Sequence, residues 1–201
     1  MDIFLVSDDT YFLMGMQNFT ASLPSIGSVT FSKISRWDRE QNQLNPESGD
    51  VVLVNISNIH LRRKFIRLPA MSNCRLVIMA RLNGLNPIIC KAVFPQIVAW
   101  NIQPRELINL LRRIMGDALN KHHVPKHTME VFDLLVKEYS LADISDRMQM
   151  NEKYIYAIKR RFLQQLGLGK CNSSVASMFC HEILHMATGV DKLNAEVRMK
   201  L

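Results

Sequence analysis

The stretch LADISDRMQMNEKYIYAIKRRFLQQLGLG, residues 141–169, decides the fold of the C-terminal part of this chain. Its apolar residues recur at helical spacing in two groups, which are Leu141, Ile144 and Met148, and then Ile155, Ile158, Phe162 and Leu166. Between the groups, Asn151 is placed to accept hydrogen bonds from the free N–H groups at a helix start. Gly167 is placed to end that helix. The stretch therefore predicts two helices joined by a short turn, a helix-turn-helix.

Helices are also predicted on both sides of this stretch. Strand signals end at residue 127, and the rest of the sequence favours four helices, at 128–138, 141–148, 152–166 and 173–187. The C-terminal part is therefore expected to be an all-α, four-helix unit.

The first 120 residues show a different pattern, in which short apolar runs alternate with amphipathic stretches. The runs are Ile3–Val6, Val29–Ile34, Val51–Val54, Leu76–Met79 and Ile97–Trp100. Runs that are apolar at successive positions suit strands buried on both faces. Helices are expected between and after them, including one that Pro104 is placed to begin. The pattern predicts an α/β fold with a doubly wound, five-stranded parallel sheet.

A polar segment that contains Pro125 marks the expected domain boundary. We predict an α/β domain at 1–120, a linker at 121–127 and a helical domain at 128–201. A length of 201 residues suffices for two small domains.

The composition indicates a globular chain, and its positive net charge favours an anionic partner once the charge is located on the chain. The formal net charge is +7, and 48% of the residues are hydrophobic, which argues against a disordered chain. The cysteines at 74, 90, 171 and 180 form no CxxC pair, and the first residues lack the pattern of a signal peptide. No apolar run approaches the ~18–20 residues that a membrane span needs. We therefore expect a cytoplasmic protein with reduced thiols and no membrane partner.

Basic residues gather on the second helix of the predicted helix-turn-helix. Residues 130–152 carry six acidic and two basic side chains, whereas 153–170 carry five basic side chains and no acidic one. A purely cationic helix beside acidic helices suits docking on the phosphate backbone of DNA. The alternative, a solvated surface helix, usually mixes both signs. The predicted DNA-binding residues are Lys153, Tyr154, Tyr156, Ala157, Lys159, Arg160, Arg161 and Lys170.

Residues 144–155 resemble the helix-turn-helix of the LuxR/FixJ-type transcription regulators. That family carries Ile-Ala-x-x-Leu-x-Ile-Ser-x-x-Thr-Val, and this chain reads Ile-Ser-Asp-Arg-Met-Gln-Met-Asn-Glu-Lys-Tyr-Ile at the same spacing. Gln165-Leu166-Gly167 stands where the family has Lys-Leu-Gly. The resemblance implies that the helix at 152–166 enters the major groove of DNA and that the last helix forms a dimer. Tyr154 and Ile158 replace a Thr and a His of the family pattern.

The N-terminal part resembles the response-regulator receiver domain of the same family. Val6-Ser7-Asp8-Asp9 matches its first strand, Asp50 to Asn55 its phospho-acceptor strand, and Pro104 to Leu107 the start of its last helix. Phosphoryl transfer to a receiver needs an aspartate nucleophile and carboxylate ligands for Mg²⁺. The resemblance implies a degenerate phospho-site, in which one acidic ligand, the acceptor aspartate, a hydroxyl residue and a lysine are replaced by Ser7, Asn55, Met79 and Trp100, while Asp8 remains. A phosphorylation-independent pseudo-receiver follows.

A further motif, His181-Glu182-Ile183-Leu184-His185, fits the HExxH pattern of zinc proteases. A third ligand is required, and none follows at the spacing of the extended motif. We therefore expect ordinary helix residues here, with no bound metal, no cofactor and no enzymatic activity. The basic cluster at Arg62, Arg63 and Lys64 is expected to form a solvated surface.

The sequence thus predicts a bacterial transcription regulator that binds double-stranded DNA sequence-specifically and independently of phosphorylation. It would act as a homodimer or as the auxiliary partner of another response regulator, and the resemblance implies the type that serves capsule, biofilm or fimbrial genes. The alternative is a protein-interaction module, an anti-activator or obligate heterodimer partner that does not read DNA alone, and the departures at Tyr154 and Ile158 favour it. A metal-dependent hydrolase built on His181 and His185 is a third hypothesis.

Overall fold

The computed structural model describes residues 1–21, 28–35, 44–85, 93–121 and 123–198, with side chains as far as Met186 in the last helix. The N-terminal half contains β1 (Ile3–Ser7), α1 (Thr10–Ala21), β2 (Val29–Lys33), β3 (Val51–Asn55), α2 (Ile59–Ile66), a 3₁₀-helix (Pro69–Asn73), β4 (Arg75–Ala80), β5 (Val93–Phe94), β6 (Gln96–Ala99) and α3 (Pro104–Gly116). The remainder contains β7 (Asn120–Lys121), α4 (Lys126–Val136), α5 (Leu141–Met148), α6 (Glu152–Gln165) and α7 (Ser173–Arg198). Within the described ranges, none of the helices combines the length and the apolar composition that a bilayer crossing requires.

The main sheet has five parallel strands in the order β2-β1-β3-β4-β6. The predicted α/β fold with a five-stranded parallel sheet is therefore confirmed. The short strands β5 and β7 form an additional parallel pair that the sequence analysis did not predict. At two residues each, they are too short for a periodic signal.

Alternation along β3 explains why this strand is apolar at successive positions. Val51 and Leu53 pack into a cluster with α1 and α3, whereas Val52 and Val54 pack into a second cluster on the opposite face. Successive side chains of a strand point to opposite faces, so a strand covered on both faces needs an apolar residue at every position.

Among the described residues after position 123, four helices lie close to the predicted ranges, but α4 begins and ends two residues earlier than the predicted 128–138, and α7 is longer than expected. The predicted helix ends at residue 187, whereas α7 continues to Arg198. The added residues contain no proline, so nothing in the backbone chemistry forces the helix to end earlier.

The apolar cluster on the α2 face of the sheet continues into the C-terminal helices. It joins Val52 and Ile78 of the sheet with Phe132 of α4, Phe162 of α6 and Phe179 of α7, all of them buried. The two halves of the chain therefore share one buried apolar cluster, in addition to a cluster within each half.

Candidate functional site

The turn between α5 and α6 is built by local hydrogen bonds. Gln149 ends α5 in the left-handed conformation (φ 53°), and the hydroxyl of Ser145 donates to the Met150 carbonyl oxygen at 2.5 Å. Asn151 then caps α6, since its side-chain oxygen accepts from the Lys153 N–H at 2.8 Å. Gly167 follows α6 with a φ of 76°, as predicted for a helix end. The two helices are thus joined by a tight turn of three residues.

Helix α6 buries one face and exposes the other. Ile155, Ile158 and Phe162 pack inward. The opposite face carries most of the predicted DNA-binding residues, and those that are exposed are Lys153, Tyr154, Tyr156, Ala157, Arg160 and Arg161, with Lys170 exposed just beyond the helix. Four basic side chains and two tyrosines therefore project into solvent from α6 and the residues just after it. No acidic side chain lies among residues 153–170.

Lys159 differs from the other predicted DNA-binding residues. Its ammonium group donates to the Ser173 hydroxyl at 2.6 Å, which links α6 to the start of α7. Partial burial lowers the pKa of Lys159. Lys159 therefore lies at the edge of the exposed face, and its ammonium group already has a hydrogen-bond partner within the protein. Helical spacing alone did not predict this contact.

A cavity of about 340 Å³ lies beside the exposed face of α6, where that helix meets the start of α4. Tyr154, Ala157 and Arg161 line one wall, and His123 and His127 line the other. The rings of His127 and Tyr154 are 6.3 Å apart between centroids. Part of the predicted DNA-binding set therefore borders a groove, while Lys153, Tyr156 and Arg160 stand outside it.

In the N-terminal half, the structure brings the predicted degenerate phospho-site residues to one edge of the sheet. Ser7 and Asn55 end adjacent strands and are paired in register. The Ser7 hydroxyl donates to the backbone carbonyl oxygen of Asn55 at 2.8 Å, and the side-chain amide of Asn55 donates back to that hydroxyl at 3.2 Å. Ser7 is fully buried. The two residues therefore bond to each other at the carboxyl end of β1 and β3.

Asp8 lies next to this pair at the start of α2. Its carboxylate accepts hydrogen bonds from the backbone N–H groups of Ser57 (2.9 and 3.0 Å) and Asn58 (3.0 Å). The neighbouring Asp9 caps α1 by accepting from Tyr11 and Phe12. Both carboxylates are therefore used to hold backbone segments.

Met79 and Trp100 complete the predicted set. Met79 is 4% exposed and packs in the core. Its side chain is a thioether, which has no hydroxyl group to donate a hydrogen bond. Trp100 is half-exposed, and the Arg81 guanidinium lies 4.8 Å from its ring centroid. Asn55 and Met79 border one cavity of about 200 Å³, which is also lined by Val175, Met178 and Phe179 of α7.

The basic cluster on α2 is an interface, and the prediction of a solvated surface is wrong for Arg62. Both Nε and Nη2 of Arg62 bond to Glu182 Oε2, at 3.1 and 2.9 Å, and Arg63 Nε donates to Oε1 at 2.8 Å. Arg62 is 9% exposed and Glu182 2%. The guanidinium of Arg62 also covers the Phe179 ring. The ion group therefore ties α2 to α7, and its partners are 120 residues apart, beyond the reach of sequence patterns.

The two histidines of the HExxH motif meet a carboxylate from another helix. Asp133 Oδ1 of α4 lies 3.1 Å from His181 Nε2 and 2.8 Å from His185 Nε2, and the two imidazole centroids are 4.3 Å apart. Burial, His185 and two nearby arginines lower the pKa of His181, against an opposing effect from Asp133. We call these three residues the His-Asp cluster.

The described thiols are unsuited to nucleophilic chemistry. Cys74, Cys171 and Cys180 form no disulfide, whereas Cys90 lies outside the described residues. Burial raises the pKa of Cys74 to about 11, and burial also raises the pKa of Cys180. Thiols with raised pKa values stay protonated at neutral pH and react slowly.

Comparison with known proteins finds distant similarities among solved structures. No family model and no curated protein matches the chain. Among solved structures, the chain is similar to RcsB from Salmonella enterica serovar Typhimurium bound to promoter rprA in the presence of phosphomimetic BeF₃⁻. The two sequences are 14% identical and the TM-score is 0.48, and the match covers 92% of this chain and 99% of that one. The structure of the two-component response regulator RcsB–DNA complex matches with 13% identity, a TM-score of 0.48, and coverage of 90% and 98%. The response regulator ChrA of a heme-sensing two-component system matches at 10% identity and a TM-score of 0.34, over 92% and 98%. Similarities this low leave the chain's own residues as the basis for its function.

Proposed function

We propose that the chain is a sequence-specific, DNA-binding transcription regulator of the LuxR type, in which α5 and α6 form a helix-turn-helix and α6 enters the major groove. The observation that carries the proposal is the exposed face of α6, where cations and tyrosines project from a helix whose opposite face is anchored by Ile155 and Phe162. Such a face matches the charge and groove width of duplex DNA.

Within this face, Lys153, Tyr156 and Arg160 stand one turn apart and contact bases or phosphates. Arg161 and Lys170 extend the cationic surface along the backbone of the DNA. Lys159 acts on binding mainly by holding α6 against Ser173.

The N-terminal domain is a pseudo-receiver that works without phosphorylation. An amide at position 55 cannot form an acyl phosphate. Ser7 and Asn55 satisfy each other by hydrogen bonds, and Met79 and Trp100 provide neither a hydroxyl nor an ammonium group. Incubation with acetyl phosphate and Mg²⁺ should leave both the mass of the protein and its DNA affinity unchanged. A phosphoryl adduct on the chain would contradict this part of the proposal.

DNA binding is tested by selecting bound genomic fragments with the pure protein and measuring affinity for the best fragment by fluorescence anisotropy at several salt concentrations. We expect Lys153→Ala and Arg160→Ala each to weaken binding and to reduce the salt slope by about 1 for every phosphate group that is no longer neutralised. Arg113→Ala, which removes an exposed arginine from α3, is the matched control and should bind like the wild type. Equal affinity in all four proteins would contradict the assignment of α6.

A regulator of this kind acts on paired half-sites, as a homodimer or as the auxiliary partner of another response regulator.

The second candidate function is a protein-interaction module that does not read DNA alone. The observation that favours it is that the ring of Tyr154 lies 6.3 Å from the ring of His127 at the groove with α4. The pure protein would then select no fragments, and binding would require an added response regulator. Analytical ultracentrifugation with and without DNA distinguishes a homodimer from a monomer that awaits a partner.

A further inference from the structure

We propose that His181, His185 and Asp133 form a binding site for a divalent transition metal of the zinc class. The site joins α7 to α4. It does not depend on DNA binding, and its test is independent of that function.

The first observation is the donor geometry. The two Nε2 atoms lie 3.1 and 2.8 Å from the same Asp133 oxygen, and one ligand atom from each residue falls within 4.8 Å of the other two. Ligand atoms bound at ~2.0–2.1 Å to one tetrahedral zinc ion are ~3.3 Å apart. Binding therefore needs only small side-chain shifts.

The second observation is that the backbone fixes the two imidazoles. His181 and His185 are one turn apart on α7 and share a face of that helix. Asp133 comes from α4, which packs directly against α7, and α4 is anchored there by Phe132, which is fully buried. The cluster is thus held by two packed helices rather than by loops.

The third observation is access and chemical type. The side chains of His181, His185 and Asp133 are 20%, 29% and 38% exposed, so an ion and a water molecule can reach them. Two imidazoles and one carboxylate favour zinc and its neighbours over Mg²⁺ or Ca²⁺, which prefer oxygen ligands. Three protein ligands leave one position for water.

The site is a binding site rather than a hydrolytic centre. In an HExxH protease the glutamate acts as the general base. Here both carboxylate oxygens of Glu182 accept hydrogen bonds from Arg62 and Arg63, and the residue is 2% exposed. Glu182 is therefore engaged in the contact with α2 and is not placed to act as a general base. A metal bound by the three ligands would connect α7 to α4.

The test uses the full chain, dialysed against a chelator and titrated with zinc chloride by isothermal calorimetry. We expect the wild type to bind one zinc ion and to gain thermal stability as the zinc concentration rises above the dissociation constant. His181→Ala and His185→Ala should lose binding. His60→Ala, which removes an exposed histidine from α2, is the matched control and should bind as the wild type does.

Asp133→Asn protects the test from misfolding, because asparagine has the same size and keeps an oxygen that the histidines can reach. Zinc affinity should fall at least about tenfold in this variant while its circular dichroism spectrum is unchanged. With cobalt(II), the wild type should show a visible absorption band that zinc removes and that His185→Ala lacks. Failure of the wild type to take up zinc, or unchanged affinity in His185→Ala or Asp133→Asn, would overturn the proposal.

Discussion

Gly84 shows how a single residue positions the two halves of the chain. It follows β4 with a φ of 79°, a conformation that L-residues rarely adopt, and a Cβ built on it would overlap the backbone carbonyl of Lys170. The loop after β4 can therefore approach the segment between α6 and α7 only because position 84 has no side chain.

Replacing Gly84 by alanine should lower the free energy of unfolding by more than about 1 kcal/mol, because left-handed backbone strain alone costs about that much and the overlap with Lys170 adds to it. Urea denaturation measures the change. Gly116→Ala is the matched control, since an added Cβ there meets nothing within 4 Å. Equal stability of the two variants would show that the close approach is not needed.

A second residue-scale expectation concerns Glu182. Glu182→Gln removes the one carboxylate that Arg62 and Arg63 share, and it leaves the guanidinium of Arg62 buried without its counterion. Breaking a buried ion pair on one side costs about 3–5 kcal/mol. Chemical denaturation should show a decrease of this size, whereas Glu130→Gln on the exposed surface of α4 should change stability by less than about 0.5 kcal/mol. A Glu182→Gln protein as stable as the control would mean that the ion group contributes little.

At the scale of elements, α5 depends on its N-terminal cap. The Ser140 hydroxyl accepts from the Asp143 N–H, and the Asp143 carboxylate accepts from the Ser140 hydroxyl and N–H. These hydrogen bonds lower the pKa of Asp143. Together they form a capping box, which fixes where the first helix of the helix pair begins.

Ser140→Ala should destabilise the protein by about 1 kcal/mol at neutral pH. Because the pKa of Asp143 is depressed in the folded state, its contribution is present above the unfolded value of about 3.9 and is lost as the pH falls through the folded value. The stability difference between wild type and variant should therefore narrow on acidification below about pH 4, as urea titrations over a pH series would show. A difference that stays constant with pH would exclude a role for the Asp143 charge.

The helices and strands are the part of the structure that the sequence predicted well. The strands of the sheet stand out as short apolar runs, and α6 carries its own start and stop signals in Asn151 and Gly167, so local chemistry sufficed. The partners of Arg62 and of His185 could not be predicted, because Glu182 and Asp133 lie 120 and 52 residues away in sequence and meet them only through tertiary packing. The roles predicted for the DNA-binding residues stay predictions until binding is measured.

At the scale of the whole molecule, the shared apolar cluster couples the two halves. Ile78 of the sheet and Phe179 of α7 belong to the same buried cluster, and the ion pairs of Glu182 with Arg62 and Arg63 also join α7 to α2. Unfolding of one half would expose apolar surface of the other, so separate unfolding is unfavourable.

We therefore expect a single cooperative unfolding transition. Tryptophan fluorescence reports on the N-terminal half, where both tryptophans lie, and far-ultraviolet circular dichroism is weighted toward the helical half. The two urea transitions should coincide in midpoint and slope. Two separated midpoints would show instead that the predicted domains at 1–120 and 128–201 fold independently.

The mutual hydrogen bonds of Ser7 and Asn55 bear on how the protein can evolve. Placing aspartate at position 55 alone would set a carboxylate beside the buried Ser7, while positions 79 and 100 would still hold a thioether and an indole. Sensitivity to phosphodonors at this site would therefore require several coordinated substitutions rather than one. On the proposed function, control would act instead through the amount of the protein or through its binding partners.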